Sequence, residues 1–159
     1  MFNGPPPMIE TARTADEESE TVSRRLRAWL EEGLEPHEIA VFVRSDAELP
    51  RAQAAVESAA VPFQVVGDRM DTTHGKLSVT TMHLAKGLEF RAVAVMACDD
   101  EVLPLQSRIE NVADEADLED TYGTERHLLY VACTRARDHL LVTGVEPASE
   151  FLDDLRMEA

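Results

Sequence analysis

The sequence predicts an α/β fold, a mainly parallel β-sheet flanked by helices. Three observations carry this expectation. Short apolar runs rich in Val and Ile, such as Ile39–Val43, have the length and composition of buried strands. Between them lie longer stretches with apolar residues at helical spacing, as at Val22, Leu26, Trp29 and Leu30. The two kinds alternate along the chain, and that alternation builds a parallel sheet covered by helices.

The elements follow in order. Pro5, Pro6 and Pro7 mark an extended lead-in over 1–13. Thr14 and Glu17 have capping-box spacing ahead of the Val22 stripe, so a helix begins there and ends near Gly33. A strand over 39–43 is followed by a helix over 47–59, which accepts Pro50 only in its first turn. A short strand over 63–66 enters a polar, turn-like stretch over 67–76, and further strands are expected over 77–81 and 92–97. The segment 98–123 reads as an acidic loop, bare or with a short helix, because Asp99 to Asp120 hold nine Asp or Glu and one Arg. Leu128, Ala132 and Ala136, four apart, argue for a helix over 124–135, then a strand over 139–143 and a closing helix over 148–155. A chain of 159 residues that is 44% apolar is expected to form one domain over its whole length.

Composition narrows the function classes. There is no apolar run of membrane-spanning length and no basic-then-apolar start, so the expectation is a cytoplasmic protein with no membrane partner. Cys98 and Cys133 have neither C-x-x-C spacing nor a histidine at ligand spacing; they read as small buried hydrophobes, and no metal site is expected. The net charge of −16 opposes phosphate contacts, which need Lys and Arg, so the domain alone should bind DNA poorly. Against that background Arg44, Lys86, Arg91, Arg126, Arg135 and Arg137 gather in or beside three short segments.

Two of these segments place charged and hydrogen-bonding groups where a strand or helix meets a loop. They are Val79-Thr80-Thr81-Met82-His83-Leu84-Ala85-Lys86-Gly87-Leu88-Glu89-Phe90 and Glu125-Arg126-His127-Leu128-Leu129-Tyr130-Val131-Ala132-Cys133-Thr134-Arg135-Ala136-Arg137. In that order they resemble motifs V and VI of superfamily 1 DNA helicases of the UvrD/Rep type, through T-x-H-x-A-K-G-L-E-F and Y-V-A-x-T-R-A. Ile39-Ala40-Val41-Phe42-Val43-Arg44-Ser45 is similar to motif IV, so the resemblance runs from about Pro36 to Gly144.

The resemblance implies a RecA-like three-layer fold and the carboxy-terminal motor domain of an ATP-dependent helicase or translocase on single-stranded DNA. It makes Arg135 the arginine finger, a permanent charge with a donor fork suited to phosphate. It makes Arg44 a second γ-phosphate contact and assigns Glu89 to the ribose, with Lys86 and Gly87 beside it among the nucleotide-binding residues. Thr81 and His83 resemble residues that touch the DNA backbone, contacts that position a strand without reading its sequence. Arg137 reads as a solvated or structural charge.

No G-x-x-x-x-G-K-[ST] phosphate loop occurs in these residues. The resemblance therefore implies that ATP and Mg²⁺ are held mainly by an amino-terminal RecA-like partner domain carrying that loop, and that this chain alone is inactive. About ten residues separate Val66 from Leu77, where large UvrD-like helicases insert a further subdomain. A second reading, a stand-alone non-catalytic interaction module with a helicase-like fold, rests on the negative charge and the missing phosphate loop.

Overall fold

The computed structural model describes residues 6–67 and 75–158. Its strands are β1 (Met8–Ala12), β2 (Ile39–Val43), β3 (Phe63–Val65), β4 (Leu77–Thr81), β5 (Phe90–Val95) and β6 (Ala136–Val145). They form one sheet in the order β1-β6-β5-β2-β4-β3, and every pairing is parallel. The helices are α1 (Ala15–Glu31), α2 (Leu49–Ser58), α3 (Gln106–Glu110), α4 (Glu115–Thr134) and α5 (Phe151–Glu158).

Strand β2 shows why the expected α/β class holds. All five of its residues are buried, because successive side chains enter opposite layers of the core. Ile39, Val41 and Val43 pack with Val22, Leu26 and Trp29 of α1 and Ala52, Ala55 and Val56 of α2. Ala40 and Phe42 pack with Leu129, Ala132 and Cys133 of α4 and Phe151 and Leu152 of α5. The result is three layers, helices on both faces of a parallel sheet.

Helix α1 starts as its sequence requires: the Thr14 hydroxyl accepts the Glu17 amide at 3.1 Å, and Asp16, Glu17 and Glu18 place negative charge on the first turn. Two regions differ most from the sequence reading. Met8–Ala12, expected within a lead-in over 1–13, is an edge strand paired with β6. The acidic segment 98–123, read as a loop, bare or with a short helix, carries the short helix α3, which that reading allowed, and the first part of α4, which it did not. Helix α4 starts early because the Asp114 carboxylate accepts the Asp117 amide at 2.8 Å and acids fill the first turn, a cap that works without any apolar stripe. Residues 1–5 of the lead-in and 68–74 of the expected turn lie outside the described residues. Among the described residues no helix is long and apolar enough to cross a membrane.

Since all strands run the same way, the sheet has one amino edge and one carboxyl edge. Arg44 follows β2 and Thr81 ends β4, so both lie at the carboxyl edge. Glu89 precedes β5 and Arg135 precedes β6, so both lie at the amino edge. Pairing of Phe42 with Val95 and of Ala136 with Phe90 puts Arg44 level with Ala97 and Arg135 level with Glu89. At about 3.3 Å per residue, those levels are roughly 25 Å apart.

Candidate functional site

At the amino edge two segments meet. Residues 82–89 carry the chain from the end of β4 back to the start of β5, through a 3-10 turn at Met82–Leu84 and then Gly87 at φ 84°, a left-handed conformation that glycine adopts without a Cβ clash. Helix α4 ends on Arg135, whose carbonyl accepts the Phe90 amide at 2.9 Å. Leu88, Glu89, Thr134, Arg135, Ala136 and Arg137 then line an open pocket of about 190 Å³.

The Arg135 guanidinium is half-buried and held only by neutral acceptors. Nε donates to the Val131 carbonyl, Nη1 to the Leu88 carbonyl and Nη2 to the Thr134 hydroxyl, each at 3.2 Å. Among the described residues no carboxylate pairs with it, nor with the exposed Lys86. The neighbouring cations differ. Arg91 lies between Asp138 at 2.8 Å and Glu38 at 3.6 Å, and its hydrogen bond holds the Asp138 carboxyl below the usual range. Arg126 pairs with Asp154 at 2.9 Å, and Arg137 lies 3.9 Å from both Glu89 and Asp138. Arg135 and Lys86 are thus the motif cations that keep an uncompensated charge among the described residues.

The carboxyl edge is built around buried charge. Arg44 is 7% exposed; its Nε donates to Glu125 Oε1 at 2.8 Å and its Nη2 to Oε2 at 2.7 Å. Glu125, with no exposed surface, also accepts the Leu105 amide at 2.7 Å and Arg108 Nη1 at 2.8 Å. Burial pushes the Glu125 carboxyl up, but these donors together hold it below the ordinary glutamate value. The phosphate contact expected of Arg44 does not fit this placement. Its fork is committed to Glu125, and it stands at the opposite sheet edge from Arg135.

Thr81 is buried, and its hydroxyl meets His83 Nδ1 at 2.9 Å while the His83 ring is exposed. The His83 ring is open to the surface, whereas the Thr81 side chain is buried and bonded to that ring. The same edge contains a second buried acid that sequence reasoning missed. Glu18 accepts the Ala97 amide and the Thr143 hydroxyl, each at 2.8 Å, and pairs with Arg51. Arg51 reaches Asp99 at 2.7 Å, and Asp99 accepts the Val145 amide at 2.7 Å. Glu18 and Glu125 were marked in the sequence: each occupies an apolar stripe, Glu18 with Val22, Leu26 and Trp29, and Glu125 with Leu129 and Ala132.

Comparison with known proteins places the second half of the chain, with the amino edge and the His83 turn, in a family. Residues 68–146 match the family described as UvrD-like helicase C-terminal domain. YjcD of Bacillus subtilis, provisionally named an ATP-dependent DNA helicase, is 43% identical over 72 residues, which are 44% of this chain and 9% of that protein. The ATP-dependent DNA helicase PcrA of Staphylococcus aureus (strain MRSA252) is 40% identical over 76 residues, 48% of this chain and 10% of that protein. The matched stretch thus spans about a tenth of these curated relatives. The crystal structure of the C-terminal domain of a possible DNA helicase from Lactobacillus plantarum WCFS1 shares the fold, with a TM-score of 0.67 at 24% identity over 94% of this chain and 80% of that one. The matched segment contains both motif strings, the Gly87 turn and the Arg135 pocket, and residues 68–146 of the chain belong to the UvrD-like helicase C-terminal domain family.

Proposed function

We propose that this chain is the carboxy-terminal motor domain of an ATP-dependent helicase or translocase that moves on single-stranded DNA. The observation that carries the reading is the Arg135 guanidinium, held by three neutral acceptors and paired with no carboxylate among the described residues, in the same pocket as Glu89. Such a charge is suited to the phosphate oxygens of a nucleotide bound by a facing domain. A pocket of about 190 Å³ is smaller than a nucleotide site of the usual ~300–1,000 Å³, as half a shared site would be.

In this reading Arg135 stabilises the charge that develops on the transferring phosphoryl group, the role of an arginine finger. Glu89 accepts hydrogen bonds from the ribose hydroxyls, and Lys86 and the Gly87 turn complete the nucleotide side. Mg²⁺ is assigned to the facing domain, which brings the phosphate loop. At the other edge His83 offers its exposed ring to the DNA backbone and Thr81 holds that ring in place. Arg44 supports this edge through Glu125 and makes no phosphate contact. A cytoplasmic location accords with these roles.

The test is ATP hydrolysis with and without single-stranded DNA, by the 159-residue chain alone and by a protein joining it to a phosphate-loop domain. Hydrolysis stimulated by DNA is expected only from the joined protein. Robust DNA-stimulated turnover by the chain alone would overturn the half-site reading. No hydrolysis by either would favour the interaction module.

A further inference from the structure

The two functional edges lie roughly 25 Å apart along the strands, and about 15 Å of one helix, together with the side chains of a charge pair, connects them. Helix α4 is 20 residues long, and Arg135 is its carboxy-terminal cap. Midway along it, Glu125 grips the carboxyl edge through Arg44, the residue that follows β2. Val43 pairs with Thr81, so Arg44 extends β2 beside the point where Thr81 turns into His83. The Met82–Leu84 turn also packs on α4. Any displacement of the His83 turn is therefore delivered to α4 by two routes, one apolar and one through a buried charge pair.

The charge pair suits this task better than apolar packing would. A fully buried carboxylate with four donors has few alternative arrangements, because each lost bond leaves a charge unpaired in a poor solvent. Apolar residues on the same face, Leu129 and Ala132, can slide by a fraction of an ångström at small cost. Glu125 fixes the register of the helix against the sheet, and Arg108 and the Leu105 amide fix the preceding loop to the same carboxylate.

Resting on the helicase reading above, we propose that Arg44 and Glu125 are positioning residues that make α4 a lever between the edges, so that strand binding at His83 is transmitted to Arg135. Neither residue touches nucleotide or DNA. Their role is to convert a shift at one edge into a movement of the guanidinium at the other, an energetic coupling carried by a discrete packed element.

The experiment uses the protein that joins this chain to a phosphate-loop domain, and measures basal ATP hydrolysis, maximal stimulation by single-stranded DNA, and the DNA concentration giving half of that stimulation. Glu125→Gln is expected to leave basal turnover and the half-stimulating concentration near wild type while lowering maximal stimulation about tenfold, within the usual size of such couplings. Arg108→Ala removes one donor from the partly exposed side of the cluster and is expected to lower stimulation less, in the same pattern. Should Glu125→Gln fail to fold, Arg108→Ala decides alone. Unchanged stimulation in the folded variants, or basal and stimulated rates falling in equal proportion, would overturn the lever. A wild-type protein that hydrolyses ATP without any response to DNA would overturn the helicase reading, and the lever with it.

Discussion

The amide of Phe90 donates to the carbonyl of Arg135 at 2.9 Å, and this one backbone bond ties the first residue of β5 to the cap of α4. It brings the segment ending in Glu89 and the segment ending in Arg135 to the same pocket without relying on either side chain. Substitutions of Glu89 or Arg135 should therefore change chemistry while leaving the fold in place. The carboxyl edge is the opposite case, since its arrangement is made by buried side chains.

Arg44→Ala is accordingly expected to be severely destabilising. It removes two of the four donors to a carboxylate that has no exposed surface. Breaking a buried pair costs about 3–5 kcal/mol when the remaining charge is left alone, and the lower end is expected here because Arg108 still reaches Glu125. Urea unfolding of the isolated chain measures it, and a loss below about 1 kcal/mol, the size of a surface pair, would show that the pair is not buried in solution.

Acid should act through the same carboxylate. Glu125 is held below the ordinary glutamate value in the folded protein, so its contribution is complete above the unfolded value of about 4.3 and is lost as pH falls through the lower folded value. Asp138 and Glu38 are also lowered and act in the same direction. The comparison that isolates Glu125 is thus with Glu125→Gln, which is expected to be less stable at neutral pH but to lose less stability below about pH 4.3. Parallel stability curves for the two proteins would contradict the assignment.

The division between edges was legible in the sequence. Arg44 follows a predicted strand and Arg135 precedes one, and in a parallel sheet that order alone puts them at opposite ends. The resemblance nevertheless assigned both to the same phosphates. The partner of Arg44 was not legible, because Glu125 is 81 positions away. Its position on the Leu129 and Ala132 stripe signalled a buried charge without naming what it met. Strand β1 is not legible because Met8 and Ile9 form too short an apolar run beside prolines, and its pairing with β6 is contributed by tertiary structure. The start of α4 was hidden by an acidic first turn that looks like loop composition, although Asp114 and Asp117 had capping spacing.

The Thr81–His83 bond yields a prediction for DNA binding. The chain carries a charge of −16, and Arg91 is neutralised by Asp138 and Glu38, so affinity for single-stranded DNA should be weak at physiological salt and improve as salt is lowered. At low salt, Thr81→Val should weaken binding as much as His83→Ala, and Thr81→Ser should bind like wild type. Fluorescence anisotropy with a labelled oligonucleotide makes the comparison. Wild-type affinity in Thr81→Val would show that the ring needs no support from the hydroxyl.

Both thiols should be silent in the native protein. Burial pushes the Cys133 thiol up to about 12 and the Cys98 thiol well above its ordinary value, so neither supplies thiolate at neutral pH. Titration with a chromogenic disulfide reagent is expected to find no rapidly reacting thiol until denaturant is added, and then two. Rapid reaction before unfolding would contradict the packing of α4 against the sheet.

The most direct measurement compares Arg135→Ala with Arg137→Ala in a protein that joins this chain to a phosphate-loop domain. Arg135→Ala should lower ATP turnover on the order of a thousandfold or more while changing nucleotide affinity little, because the charge it answers develops during phosphoryl transfer. Arg135→Lys should recover little, since an ammonium lacks the planar fork. Arg137 already lies against Glu89 and Asp138, so Arg137→Ala should cost only a small factor. A small loss in Arg135→Ala together with abolished turnover in Arg137→Ala would contradict the account and move the site to the other side of the pocket.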